Sequence, residues 1–382
     1  MTKNLTGLWM GGLQRLLAVQ ARAARRAARK AALHPSQMAD AARAVQAVAD
    51  AVNHSLREGA APQRESRVRP RAAAWAGGEW LRATHVAART SQRAERELPY
   101  GLYLPPHAKT AGMPLVVMLH GCKQTIDQFA EGTRMNLLAD QHGFAVVYPE
   151  QPDHVHSHNC WHWYDSRDQV GGGEADSVVS LVDALVAEYG FDGSRVYVAG
   201  LSAGAGLAAL LAVRAPQRFA AVALHSGPVF GEAHSGIAAL DVMRRGARDD
   251  PRALVARRVD MDTYPGMPAI VLQGDEDPVV APVNGEQLVA QFLQLNRLAD
   301  SASSVTEQQR DGYVMREYRR AGVDVVRWCR VEGLDHAWSG GDEAVPFHSA
   351  TGPDASALIW SFFDGHRRVP AKSVRDELAE RA

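Results

Sequence analysis

Apolar residues follow two rhythms in this chain, and the change between them divides it. From Leu13 to Leu33 alanine, leucine and arginine dominate, a composition that predicts a helix. Pro35 ends that helix, and Ser36 stands where an N-cap would open a second. In the second, Met38, Ala41, Val45, Val48, Val52 and Leu56 recur at steps of three and four, one apolar stripe. Residues 1–58 are therefore expected to form a helical N-terminal extension. Pro, Arg, Glu and Ser from Gly59 to Arg71 read as a linker, which leaves 72–382 for the main domain.

Past Ala72 the rhythm shortens to that of strands. Trp80 to Ala87 and Leu98 to Leu104 predict an antiparallel pair, the second stopped by Pro105-Pro106. Leu115 to Leu119 is wholly apolar, as in a central parallel strand. A helix (Ile126 to Gln141), a strand (Phe144 to Tyr148) and another helix (Asp176 to Tyr189) follow. Val196 to Val198 predicts a strand, and the alanine- and leucine-rich run from Leu207 a helix. Phe219 to Leu224 and Ala269 to Leu272 are further strands. Tyr313 to Arg319 and Val323 to Val331 form a hairpin bending at Ala321-Gly322, and Pro353 to Phe363 a last helix. Strands alternating with helices predict an α/β fold, a mostly parallel sheet covered on both faces. In such sheets the site lies at the carboxyl ends of the strands.

Composition narrows the function. A 46% hydrophobic content supports a sizeable core, and a net charge of −1 gives no global field for nucleic acid or an anionic membrane. The average hides an asymmetry: Lys3, Arg15, Arg22, Arg25, Arg26, Arg29 and Lys30 are joined by no acid before residue 34. That basic helix could contact a granule or another surface. No run reaches the ~18 apolar residues of a membrane span. The apolar stretch from Leu5 to Leu13 is broken by glycines and followed by Arg15, so no secretory signal is recognisable and a cytoplasmic location is expected. Three cysteines, Cys122, Cys160 and Cys329, are too few for a disulfide scaffold and lack zinc spacing.

The candidate chemistry begins at Gly200-Leu201-Ser202-Ala203-Gly204, between a strand and a helix. A serine on so sharp a turn is held in strained backbone angles, which expose its hydroxyl beside a helix N-terminus. Serine becomes a nucleophile when a base takes its proton and a carboxylate orients that base. Gly274-Asp275-Glu276-Asp277-Pro278 follows one strand and Gly333-Leu334-Asp335-His336 another, in the chain order serine, acid, histidine. Asp277 lies deepest in its turn and is the first choice of acid, Asp275 the second. Oxyanion donors are expected from the backbone N–H of Ala203 and of Cys122, in the loop after Leu119. Trp161, Trp163 and Trp338 adjoin these segments, where they either wall a substrate cleft or fill the core. His154, His156, His158 and His162 crowd one loop; without a paired acid they are expected to face solvent, and no metal or cofactor is implied.

The segments P-L-V-V-M-L-H-G-C-K-Q-T, G-T-R-M-N-L-L-A, G-F-A-V-V-Y-P-E-Q, N-C-W-H-W-Y, G-L-S-A-G-A and G-L-D-H-A-W-S-G-G occur in order between Glu79 and Phe363. In them the chain resembles the esterase family of short-chain poly(3-hydroxybutyrate) depolymerases. The resemblance implies an α/β-hydrolase fold with Ser202, Asp277 and His336 as a triad. It implies a serine carboxylic-ester hydrolase working through an acyl-enzyme on short-chain polyhydroxyalkanoate or a related ester. Because cysteines recur in two of these motifs, it also implies a Cys122–Cys160 disulfide. Cys329, in the strand W-C-R-V, is expected as a buried free thiol. The family includes feruloyl and acetylxylan esterases, so that substrate is the alternative. A rival of another class is a granule-binding protein whose hydrolase domain only docks. Residues before about 70 lie outside the resemblance, and the secretion signal of extracellular members is not recognisable, although the family points to the extracellular region.

The linker composition generates a prediction, because few contacts usually cross such a segment. A chain starting near Ala72 is expected to fold and to hydrolyse a small soluble ester at close to the full-length rate. On an insoluble polyester it should bind less well, by a margin that shrinks at high salt. Loss of activity on the soluble ester would make residues 1–71 part of the catalytic body.

Overall fold

The computed structural model describes residues 76–87, 96–107, 109–156, 158–164, 173–298 and 304–368. The two helices expected within 13–58 and the linker at 59–71 lie outside the described residues. The centre is a ten-stranded sheet. Its strands are β1 (Glu79–Ala87), β2 (Arg96–Leu104), β3 (Leu115–Leu119), β4 (Ala145–Pro149), β5 (Val196–Leu201), β6 (Ala221–His225), β7 (Ala269–Gly274), β8 (Ser304–Arg310), β9 (Tyr313–Arg320) and β10 (Val323–Val331). They lie in the order β1-β2-β4-β3-β5-β6-β7-β10-β9-β8. The run from β4 to β10 is parallel, with antiparallel additions at each edge.

The apolar parallel strands are buried on both faces, and their two-residue period sorts side chains into two layers. Leu115, Val117 and Leu119 pack with Val178, Leu181, Leu207 and Leu288. These come from α3 (Glu174–Tyr189), α4 (Ala203–Arg214) and, at Leu288, the helix Val283–Leu295. Val116 and Met118 meet Phe129, Met135, Ile359 and Phe363 on the other face. That layer is α1 (Ile126–Thr133), α2 (Met135–His142) and the last helix, Ala355–Phe363. The remaining helices follow β6: α5 (Gly236–Arg245) and α6 (Pro251–Ala256), so that Val283–Leu295 is α7 and Ala355–Phe363 is α8. Two short strands, β11 (Trp338–Ser339) and β12 (His348–Ser349), pair outside the main sheet.

The helix expected from Ile126 to Gln141 is two helices. Thr125 opens α1 with a reciprocal capping arrangement against Gln128, and Arg134 breaks it at φ 57. The last carbonyls of α1 are taken by tertiary partners: Gly132 O accepts the Asp342 N–H at 2.9 Å, and Thr133 O accepts the Ser356 hydroxyl at 2.7 Å. Those bonds end the helix and tie it to the segment that follows β10. The helix expected from Leu207 instead begins at Ala203, since Ala-Gly-Ala-Gly is weakly helical by propensity and is helical here through packing. Helices α5, α6 and α7 and strand β8 were not read from the sequence. Signals for the helices exist: Ser235 and Asp250 cap α5 and α6, Pro251 opens α6, and Leu288, Val289, Phe292 and Leu293 form a helical stripe on α7.

One close approach governs where α4 sits. A Cβ added at Gly204 would lie 2.1 Å from the Leu119 carbonyl oxygen, and one at Gly200 would lie 2.3 Å from the backbone of Gly204. The obstruction at Gly204 is backbone, which yields only by moving β3. Gly204→Ala is therefore expected to cost about 1–3 kcal/mol, as overpacking does. Urea unfolding would show this as a lower midpoint at unchanged slope; an unchanged midpoint would mean that α4 is free to shift.

Candidate active site

Strand β5 delivers Ser202 to a corner. Its φ of 56° and ψ of −120° lie outside the region serine favours, and the next residue already starts α4. The corner is held by the backbone: the Ser202 N–H donates to the His225 carbonyl at 2.9 Å, and Gly206 N–H donates to the Ser202 carbonyl at 3.0 Å. Ser202 is only 4% exposed, so its hydroxyl reaches out of a packed turn rather than from an open loop.

Strands β7 and β10 bring the other two groups to the same edge. His336 Nε2 lies 2.9 Å from Ser202 Oγ, and His336 Nδ1 lies 2.8 Å from Asp277 Oδ2. Asp277 is buried, and its other oxygen accepts the N–H groups of Val279 and Val280 at 2.9 and 2.8 Å. Gln273 Nε2 adds a third donor at 3.1 Å to the oxygen that faces the histidine. Burial alone would raise the Asp277 pKa, but His336 and the two backbone amides outweigh it and hold the carboxyl below its ordinary value. For His336 burial works downward and the Asp277 carboxylate upward, and the carboxylate prevails. The proton on Nδ1 faces the carboxylate, leaving Nε2 to accept from the serine hydroxyl. Asp275 is exposed, and its carboxylate accepts the Gly333 N–H at 2.8 Å, bracing the turn after β10. It does not meet the histidine ring.

The loop after β3 lies against the turn at Ser202: a Cβ added at Gly204 would be 2.6 Å from the His120 carbonyl oxygen. Neither the Cys122 nor the Ala203 backbone N–H donates a hydrogen bond to any described residue. Free backbone donors are what a developing oxyanion requires, and Ala203 directly follows the serine. The loop is braced from several sides. Gly121 N–H donates to Gln124 Oε1 at 2.7 Å, and Cys122 is joined to Cys160 by a disulfide with Cα atoms 4.3 Å apart. His120 is fully buried, and burial pushes its pKa down to about 4. Its Nε2 accepts the Gln151 N–H at 3.1 Å and its Nδ1 donates to the Gly121 carbonyl at 2.8 Å, so the ring is neutral.

Behind the disulfide lies a carboxylate that sequence reasoning missed. Glu174, 1% exposed at the start of α3, accepts from His162 Nδ1 and the His162 N–H, each at 2.7 Å, from Arg96 at 3.1 Å, and from Gln151. The histidine loop therefore has a paired acid after all, contrary to the expectation that its residues simply face solvent: His154 is exposed, but His162 is tied to Glu174. Gln151 also donates to the Cys160 carbonyl at 3.0 Å, so this network fixes the strand of loop that carries the disulfide. Nothing in the spacing of Glu174 announces this, because its partners come from three separate segments. Among the described residues no group of three or more His, Cys, Asp or Glu side chains is placed to hold a metal ion.

The tryptophans need correction as substrate-binding residues. Trp161 and Trp338 are fully buried and Trp163 is 5% exposed, so they are packed inside rather than lining a cleft. Trp161 donates its indole N–H to the His120 carbonyl at 3.1 Å, a further brace on the loop after β3. Trp338 lies parallel to His225 and edge-on to Phe129, with its N–H 3.2 Å from Ser356 Oγ. Trp163 lies against Gly206, where an added Cβ would be 2.7 Å from the ring. Cys329 is a buried free thiol whose pKa burial pushes up to about 12. No helix among the described residues is long and apolar enough to cross a membrane.

Comparison with known proteins shows the family and the fold. The family described as Esterase PHB depolymerase matches residues 98–317 of the 382. Poly(3-hydroxyalkanoate) depolymerase C of Paucimonas lemoignei is 34% identical over 236 residues, covering 60% of this chain and 56% of that protein. Feruloyl esterase B of Neurospora crassa is 38% identical over 128 residues, 33% of this chain and 42% of that one. The chain thus spans about half the length of the curated relatives it matches. In fold it is similar to an acetyl xylan esterase from Aspergillus awamori, with TM-score 0.58 and 19% identity over 74% of this chain and 99% of that one.

The two aspartates should separate cleanly. Asp277→Asn is expected to lower turnover by on the order of 10⁴, the size of the same change in a serine protease triad, whereas Asp275→Asn should cost less than about tenfold. Hydrolysis needs His336 unprotonated at Nε2, so kcat/KM should fall as pH drops through a pKa raised above the ordinary ~6.5. Without the Asp277 charge, burial is left to dominate, and the residual activity should keep its acid limb to lower pH. A crippling Asp275→Asn, or an acid limb that does not move in Asp277→Asn, would refute this assignment.

Proposed function

The chain belongs to the PHB depolymerase esterase family, and from that premise we propose that it is a serine carboxylic-ester hydrolase acting through an acyl-enzyme. The observation that carries the reading is the unbroken line from Ser202 Oγ through the His336 ring to the buried Asp277 carboxylate, at 2.9 and 2.8 Å. Ser202 Oγ attacks the ester carbonyl carbon while His336 Nε2 takes its proton. Asp277 holds the Nδ1–H and stabilises the imidazolium that forms. The Cys122 and Ala203 amides receive the oxyanion of the tetrahedral intermediate. As that intermediate collapses, His336 returns the proton to the departing alcohol, and the acyl group stays on Ser202. Water, deprotonated by the same nitrogen, then attacks the acyl-enzyme, and a second collapse releases the acid and restores Ser202.

The substrate we propose is a short-chain polyhydroxyalkanoate or its hydroxybutyrate oligomers. Feruloyl or acetylxylan esters are the second reading, favoured by the likeness to feruloyl esterase B. Contact of the basic residues 1–33 with an insoluble polyester surface is a further part of the proposal, and the Ala72 truncation tests it.

Purified protein should be assayed on p-nitrophenyl acyl esters, hydroxybutyrate oligomers, methyl ferulate and acetylated xylan. Hydrolysis of the oligomers at a kcat/KM above that of the ferulate and xylan esters is expected; the reverse ranking selects the second reading. Ser202→Ala should lower turnover at least about a thousandfold without a change in thermal midpoint, since triad members act as a unit. Ester hydrolysis that survives this substitution would remove Ser202 from the mechanism.

A further inference from the structure

The mechanism above leaves unused a histidine buried directly beneath it. Strands β5 and β6 pair in parallel with Leu201 opposite His225, so His225 stands beside the last residue before the nucleophile. Its carbonyl already accepts the Ser202 N–H at 2.9 Å. Its ring does something separate: Nε2 lies 3.1 Å from the backbone N–H of Ser339, three residues past His336. A backbone N–H can only donate, so Nε2 must be the unprotonated nitrogen. The proton is then on Nδ1, which faces Ser226 Oγ at 3.2 Å. The ring is fully buried and stacks on Trp338, centroids 5.1 Å apart, in the same loop.

One residue of β6 thus holds two catalytic segments by two different atoms. Its carbonyl holds the corner that presents Ser202, and its imidazole holds the loop that presents His336. We infer that His225 is a positioning residue of the proposed hydrolase, setting the Ser202–His336 geometry through a neutral, acceptor Nε2. The inference rests on the ester-hydrolase reading for its activity assay alone. Burial, reinforced by the neighbouring His336, pushes the His225 pKa down to about 3. The ring therefore remains an acceptor across the working range and sets no second cation beside the His336 imidazolium.

A role in packing alone predicts a different ranking of variants from a role in positioning. His225→Phe keeps an aromatic ring against Trp338 and removes the acceptor. His225→Gln gives up the ring and keeps an acceptor oxygen near the place of Nε2. The readouts are the rate at which a fluorophosphonate labels Ser202, kcat and KM for p-nitrophenyl butyrate, and the thermal midpoint. His225→Phe is expected to lower the labelling rate and kcat at least about tenfold with KM little changed, since misplacements of about 1 Å cost up to ~10²-fold. His225→Gln should recover most of that loss even where its midpoint is the lower of the two. Labelling of His225→Phe at the wild-type rate, or a Gln variant no better than Phe, overturns the inference. Should a variant not fold, ¹⁵N NMR of the wild-type ring decides: an unprotonated Nε2 at neutral pH supports the assignment, and a protonated one overturns it. A wild-type chain that hydrolyses none of the esters defeats the ester reading, while the ranking by labelling still decides this one.

Discussion

The corner at Ser202 is the constraint on which the rest of the site depends. A serine at φ 56° and ψ −120° is strained by roughly 1–3 kcal/mol, and such a conformation persists only where its surroundings over-determine it. Here the surroundings are backbone. The His225 carbonyl takes the Ser202 N–H, the Ser202 carbonyl takes the Gly206 N–H, and α4 passes so close to β3 that only glycine fits at 204. The same closeness accounts for the small residues of the first turn of α4. Larger side chains would lift the helix, and the Ala203 amide with it, from the sheet.

Two buried carboxylates divide the electrostatic work. Asp277 faces the histidine, and its charge raises the His336 pKa against the pull of burial, so that in the proposed mechanism a proton taken from Ser202 would be held stably. Glu174 is bonded to Arg96, Gln151 and His162. An unpaired buried acid would protonate or unfold its surroundings. The hydrogen bonds from His162 and the Arg96 charge instead outweigh burial and keep Glu174 ionised. A fully satisfied buried network is rigid, and this one fixes the Cys160 end of the disulfide.

The features legible in the sequence are those set by local pattern. Strands β3, β5 and β7 showed as short apolar runs, and the motifs around Ser202, Asp277 and His336 showed because each follows a strand end. What stayed hidden depends on contacts between distant segments. The break at Arg134 comes from Asp342 and Ser356, more than 200 positions away, taking the last carbonyls of α1. Glu174, Gln151 and His120 join one network from three places in the chain, and no spacing links them. Trp161 and Trp338 misled because adjacency to a motif in sequence says nothing about which way a side chain turns. Both turn inward, and Trp161 serves the site through its indole N–H on the His120 carbonyl. Helices α5 to α7 are a different case: caps and an apolar stripe were present and went unread among the shorter-period signals around them.

The proposed oxyanion role of the loop after β3 accounts for the braces that converge on so short a segment. A backbone amide stabilises charge in the transition state only if it already points at the place where charge will appear, because reorienting it during the reaction would consume what it contributes. Loops ordinarily lack that rigidity. This one has His120 locked as a neutral ring between Gln151 and Gly121, the Gly121 amide held by Gln124, the His120 carbonyl held by Trp161, and Cys122 joined to Cys160. Each brace uses a different atom, and none uses the Cys122 N–H. Among the described residues the Cys122 N–H is left without a partner while the groups around it are held, so the connection between β3 and α1 is fixed in the place the proposed mechanism gives it.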